Sequence, residues 1–154
     1  MLALVAEPDS SPMIQSRVAG FRLRASLAKV DVDVLSCGTK PGENSFAKAY
    51  ETLRAALKAK PVAGTGIFVV SDTPALAALK ALSDAGVNVP DAVGVIGYDG
   101  IPEGAYYHPA LTTIKQDLAG WVEASLRLMR QRISDPAAPV AHVKVPPSLI
   151  VRKS

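Results

Sequence analysis

The amino-acid sequence predicts a doubly wound α/β domain, with a mostly parallel sheet and helices on both faces. Short apolar runs alternate with longer stretches at helical spacing, in the order β-α-β-α-β-α-β and then β-α-β-β. Two helix starts with a serine cap and an early proline follow apolar runs, at Ser11-Pro12 and at Ser71-Asp72-Thr73-Pro74. A length of 154 residues suits one such domain, which hides roughly 70% of the surface its unfolded chain exposes.

Leu2–Ala6 is apolar, ends at Glu7-Pro8-Asp9, and reads as a strand buried on both faces. Ile14, Val18, Phe21 and Leu27 fall on one stripe, so residues 13–29 read as a helix. Val32, Val34 and Leu35 form a second strand, and Gly38, Pro41 and Gly42 mark a loop. Phe46, Tyr50, Leu53 and Leu57 recur at helical spacing, which gives a helix near 43–59. Ile67–Val70 is a third buried strand. The helix after it carries Ala75–Leu79 and stops at Ala85-Gly86, where glycine suits a left-handed backbone. Val87–Asp91 is a turn. Val93–Ile96 is a fourth strand, broken at Gly97, and residues 98–110 are a long loop. Leu111–Ile114 is a short strand. Residues 116–133 form an amphipathic helix with Leu118, Trp121, Val122, Leu126, Met129 and Ile133 along one side. Asp135-Pro136 ends it, and two short β segments follow, near 140–145 and 148–152.

Composition narrows the function classes. The apolar fraction is 49% and the charged fraction 20%, as in an ordinary globular protein, which excludes global disorder. The net charge of +3 is small and no dense Lys/Arg cluster stands behind it. The single cysteine, Cys37, makes no internal disulfide and suits a reducing cytoplasm. No apolar run approaches the ~20 residues of a membrane helix. The apolar N-terminus has no basic flank, so it does not read as a signal peptide. The expected location is the cytoplasm.

In open parallel sheets, ligands sit outside the carboxyl ends of the strands. The polar groups there are Asp9, Ser10, Ser11, Lys40, Ser71, Asp72 and Asp99, with Arg17 early in the first helix. No Gly-rich phosphate loop follows the first strand. His108 and His142 lie apart, without other ligands at metal spacing, and read as ordinary surface histidines; no metal or cofactor is expected. No Gly-x-Ser-x-Gly elbow is present, and no catalytic residue is assigned. Ser11 and Thr73 can be plain helix caps, worth ~1 kcal/mol each. Asp99 can be a turn residue and Arg17 a surface one. Against that stands their pairing by type: a guanidinium fork and a carboxylate can jointly grip vicinal hydroxyls.

Six stretches taken together are specific. They are Arg17-Val18-Ala19-Gly20-Phe21, Phe68-Val69-Val70-Ser71-Asp72, Gly94-Val95-Ile96-Gly97-Tyr98-Asp99, Ile101-Pro102, Pro109 to Asp117 (PALTTIKQD) and Pro147 to Arg152 (PSLIVR). In this order they resemble the effector-binding region of the lac repressor/galactose repressor (LacI/GalR) family of bacterial transcription regulators. The resemblance runs along nearly the whole chain. It implies a periplasmic-binding-protein-like type I fold, of which this chain is the C-terminal subdomain. Residues 1–115 would be the C-terminal lobe of the effector-binding domain. Residues 116–139 would be a crossover helix and linker belonging to a first lobe, and 140–154 the returning strands. Such regulators also carry a helix-turn-helix headpiece, which this chain lacks, so DNA contact is expected only through a headpiece elsewhere.

The resemblance implies that Arg17 and Asp99 anchor effector hydroxyls and that Ser71 is a polar contact. Ser11 and Met13 match positions often used for ligand contact, and Met13 departs from the usual polar residue. Lys40 falls near a position where many members stack an aromatic ring. It leaves room for an acidic effector, or it is a solvated loop lysine. The resemblance also implies a homodimer, with Leu76, Leu79 and Tyr107 at the subunit interface; the two leucines can equally be core. The expected function is therefore a non-enzymatic sensor of a sugar or related small molecule. The alternative is a small doubly wound enzyme or nucleotide-binding domain, with Asp99 or Asp72 as catalytic acid.

Overall fold

The computed structural model describes residues 1–6, 11–59, 62 and 64–154. The predicted alternation is present. The strands are β1 (Leu2–Val5), β2 (Asp33–Ser36), β3 (Thr65–Val69), β4 (Val93–Asp99), β5 (Thr112–Lys115) and β6 (Ser148–Ile150). The helices are α1 (Pro12–Leu27), α2 (Ser45–Ala59), α3 (Asp72–Asp84) and α4 (Leu118–Ser134). The strands form one sheet in the order β2-β1-β3-β4-β5-β6. Every pairing is parallel except β5 with β6. The chain steps outward from β1 to β2, then returns past β1 to β3. That reversal is the place in an open sheet where a crevice forms at the strand ends.

Alternate residues of each strand feed two separate clusters, as the two-residue period of a strand requires. Leu4, Ile67, Val69, Val93 and Val95 face α2 and α3, packing with Ala49, Leu53, Ala75, Leu79 and Leu82. Ala3, Val5, Phe68 and Val70 face α1, packing with Ile14. Phe21 of α1 stacks on Phe68 with ring centroids 4.8 Å apart, in the range of favourable aromatic pairs.

Helix ends follow local rules. Gly86, at φ +70°, closes α3: its N–H reaches Ser83 O and the Val87 N–H reaches Leu82 O, both at 3.0 Å. This is the paired-bond C-terminal motif that favours glycine. α1 ends in the same way, but Lys29 holds the left-handed position at φ +55°. Ser11 and Ser71 occupy the two N-cap positions, yet neither makes a side-chain cap bond among the described residues. At α4 the Asp117 carboxylate does accept from the Gly120 N–H, at 3.0 Å.

Two expectations are corrected. β4 is not broken at Gly97 but runs to Asp99. Gly97 is there for space: a Cβ would strike Asp72 Oδ1 and lie 3.2 Å from Ala75 Cβ and Leu111 Cδ2. The segment 140–145 is not a strand. Pro139, Pro146 and Pro147 flank it and bring no N–H to a ladder, and Val140 is exposed. Within the predicted loop 98–110, Pro102–Ala105 form a 3-10 turn. Finally, α4 has no buried residue among those described, and its whole apolar stripe is exposed.

Candidate functional site

Arg17 sits one turn inside α1, on the side that faces the end of β3. Its guanidinium makes three contacts there. Nη1 donates to the Val70 carbonyl at 2.6 Å. Nη2 donates to Asp99 Oδ1 at 2.9 Å. The guanidinium also lies 3.8 Å above the Tyr98 ring centroid, a favourable cation–π distance. The Arg17 side chain is only 8% exposed, while that of Asp99 is 30% exposed. The arginine is thus a fixed base for the pair, and the carboxylate is its accessible edge.

Asp99 ends β4. Parallel pairing sets Asp99 opposite Lys115 of β5, so Gln116 is the next residue beyond the sheet. The Gln116 Nε2 donates to the same Asp99 Oδ1 at 2.8 Å. Burial pushes the Asp99 carboxyl above its ordinary value, although Arg17 and Gln116 both act to lower it. Asp99 also holds φ at +128°, a region non-glycine residues rarely occupy.

The turn after Asp99 is tied from beneath. Asp72, at the start of α3, is 0% exposed. Its Oδ2 accepts from the N–H groups of Gly100 at 2.7 Å and Ile101 at 2.9 Å. Its Oδ1 accepts from the Thr113 hydroxyl at 2.7 Å. Gly100 has φ +79°, and a Cβ there would lie 2.6 Å from Lys115 Cβ.

A cleft of about 730 Å³ opens beside Arg17, and Met13, Tyr98 and Gln116, which donates to Asp99, also line it. Phe68, Ile114 and Trp121 are among its apolar lining. Its size is that of a small-molecule site. The pair can present guanidinium donors and carboxylate acceptors to vicinal hydroxyls, with apolar surface alongside.

The other sequence candidates fall unequally. Met13 is exposed and its sulfur lies 3.5 Å from Arg17 Nη2. Ser71 is buried and follows Val70, whose carbonyl holds Arg17. Ser11 is half-buried at the α1 N-cap. Among the described residues, Lys40 makes no hydrogen bond or ion pair with Arg17 or Asp99. It follows edge strand β2, three strands from β4, or about 14 Å at the ordinary strand spacing. It is exposed, and its backbone N–H donates to Glu43 Oε2 at 2.8 Å. Asp9 and Ser10 lie outside the described residues.

Leu76 and Leu79 need a correction. They are 6% and 3% exposed and belong to the main core, so they offer no surface to a partner. Tyr107 is half-buried against that core. Asp72 cannot serve as a catalytic acid, because it is sealed from solvent and its carboxylate is engaged by three donors. His108 and His142 are exposed, and no metal-binding cluster occurs among the described residues. Sequence reasoning missed Gln116 and Tyr98 as site residues. Both lie inside motifs that were singled out, and the β4–β5 register was the signal that could have found Gln116.

Known proteins share this architecture. Residues 1–154 match the periplasmic binding protein-like domain. The ribose operon repressor of Halalkalibacterium halodurans is 34% identical over 153 residues, 99% of this chain and 44% of that protein. The HTH-type transcriptional repressor PurR of Mannheimia succiniciproducens is 34% identical over 142 residues, 91% of this chain and 41% of that protein. A LacI family transcriptional regulator from Enterococcus faecium, solved with bound ribose, superposes with a TM-score of 0.80 at 27% identity. It covers 99% of this chain and 55% of that one. The lac repressor dimer bound to operator and the anti-inducer ONPF gives 0.84 at 27% identity, covering 99% of this chain and 51% of that one. The chain thus spans less than half the length of the ribose operon repressor and of PurR.

Proposed function

The chain belongs to the periplasmic binding protein-like domain family, in its LacI/GalR branch, and on that premise we propose that Arg17, Asp99 and Gln116 hold the hydroxyls of a small effector. The observation that carries this is the Arg17–Asp99 ion pair at the strand ends, strapped to the Val70 carbonyl and open on its carboxylate side. The position of the pair at the strand ends of a mostly parallel sheet supports this reading, since open sheets of this kind bind ligands there. A sugar or sugar derivative fits the chemistry: vicinal hydroxyls donate to the carboxylate and accept from the guanidinium.

Within the complete regulator, residues 1–115 act as the C-terminal lobe. Residues 116–139 pack on a first lobe, and 140–154 return to the sheet. The exposed stripe of α4 and the β5–β6 pairing support that division. Effector closes the two lobes and shifts their relative position, which changes the DNA affinity of a headpiece outside this chain. The regulator works as a homodimer in the cytoplasm and performs no catalysis. No helix among the described residues is long and apolar enough to cross a membrane.

The test uses a protein that joins this chain to a first lobe of the family. It is screened by thermal shift against pentoses, hexoses and disaccharides. Stabilisation by at least one polyol, absent in the Asp99→Ala variant, is expected. Uniform silence across the polyols, with a response to non-hydroxylated ligands, overturns the reading.

A further inference from the structure

Asp72 does not line the cleft, yet it is tied to the turn that follows Asp99. Its carboxylate joins three segments far apart in sequence: the start of α3, the turn after β4, and Thr113 in β5. The turn it holds is one the chain would not adopt unaided. Asp99 and Gly100 both have positive φ, at +128° and +79°. Such conformations persist when the surroundings over-determine them. Two neighbours supply the restraint. The Lys115 side chain closes one side of Gly100, and Asp72 Oδ2 captures the next two N–H groups. Gly97 leaves the room that lets the carboxylate reach them.

We propose that Asp72 is a positioning residue of the effector site: by fixing the Gly100–Ile101 amides it aims the Asp99 carboxylate at Arg17 and Gln116. The role of Asp99 as an anchor rests on the reading above, but the positioning itself is a property of this chain without ligand. Its chemistry is specific. Two N–H donors converge on one oxygen and a hydroxyl on the other. An asparagine satisfies the same three groups, because its Oδ1 can accept from both amides while its Nδ2 donates to the Thr113 oxygen. An alanine satisfies none.

The experiment compares wild type, Asp72→Asn and Asp72→Ala in the isotopically labelled chain, by NMR. It reads amide exchange at Gly100 and Ile101 and the titration of the Asp99 carboxyl carbon. Asn and Ala remove the same negative charge, so a difference between them at Asp99 does not come from the charge. In the Asn variant the two amides stay protected and Asp99 remains coupled to Arg17. In the Ala variant exchange at the two amides rises by about tenfold or more, as the loss of charge-assisted bonds predicts. Asp99 there titrates near the ordinary carboxylate range, while β3 and β5 amides stay protected. If alanine prevents folding, Asp72→Ser replaces it, since its hydroxyl is too short to span to both amides. Identical Asp99 titrations in the Asn and Ala (or Ser) variants overturn the proposal, as do amides that stay protected in the latter. No ligand enters the measurement, so failure here is separate from failure of the effector reading.

Discussion

Arg17 and Gln116 converge on a single atom, Oδ1 of Asp99, at 2.9 and 2.8 Å. One donor comes from α1, near the start of the chain, and the other from just beyond β5. The carboxylate therefore reports the relative placement of α1, β4 and β5. A shift of any one changes the hydrogen bonding of the other two.

The Asp99 carboxyl makes the stability of the chain pH-dependent with a defined sign. Burial holds its pKa above the ordinary value of 3.8. Just above that value the unfolded chain has released the proton and the native state has kept it. The native state then binds more protons, so stability falls as pH rises through the window and levels off beyond it. Asp99→Asn removes this contribution. Urea unfolding at a series of pH values checks it: the variant should lose the downward slope that begins near 3.8 and match the wild-type slope elsewhere.

Arg17 opposes that upward shift, by its charge and its hydrogen bond. Arg17→Ala should therefore move the Asp99 pKa further up, and Arg17→Lys by less, since a lysine keeps the charge without the fork. Carboxyl-carbon NMR titration of the two variants gives the order directly.

Gly97→Ala tests the close approach of β4 to α3. The new Cβ meets the Asp72 carboxylate and two side chains at 3.2 Å. Overpacking of this kind costs about 1–3 kcal/mol, here against Asp72, whose carboxylate is held in three hydrogen bonds. Chemical denaturation should show a lower midpoint with an unchanged slope.

Lys29→Gly should act in the opposite direction. The lysine is exposed and sits at φ +55° at the end of α1. Relief of the left-handed strain is offset by glycine's greater unfolded-state freedom, which leaves a gain of about 0.5–1 kcal/mol. A thermal melt of the variant measures it.

Leu76 and Leu79 separate core from interface. As buried residues of α3, each costs about 2–5 kcal/mol on truncation to alanine. The loss should be the same at every protein concentration. A loss that vanishes on dilution of the wild type would mark an interface instead.

Much of the fold was legible because apolar runs and helical stripes have different periods, and Ile67–Val70 or Phe46–Leu57 carry one period each. Gly86 was legible because a left-handed helix end favours glycine. Gly97 misled for a related reason: the residue that breaks strands elsewhere here makes room for a carboxylate from another element, which no local pattern contains. The 140–145 segment has strand-like valines, but the prolines that flank it decide otherwise. At the site, Arg17 and Asp99 could be chosen by chemical type and by resemblance. Their contact with Gln116, and the support beneath from Asp72, depend on the β4–β5 register and on α3 lying under it. Leu76 and Leu79 were ambiguous because an apolar helix position looks the same whether the core or a partner covers it.

The effector-anchor role of the Arg17–Asp99 pair is tested most directly by titration calorimetry. The protein joins this chain to a first lobe of the family, and the ligand is the polyol that stabilises it best. Wild type is compared with Arg17→Ala and Asp99→Ala. The account predicts that each variant stays folded and loses about 1.5–3 kcal/mol of binding, the worth of charge-assisted hydrogen bonds, or roughly ten- to a hundredfold in affinity. Wild-type affinity in either variant would contradict it.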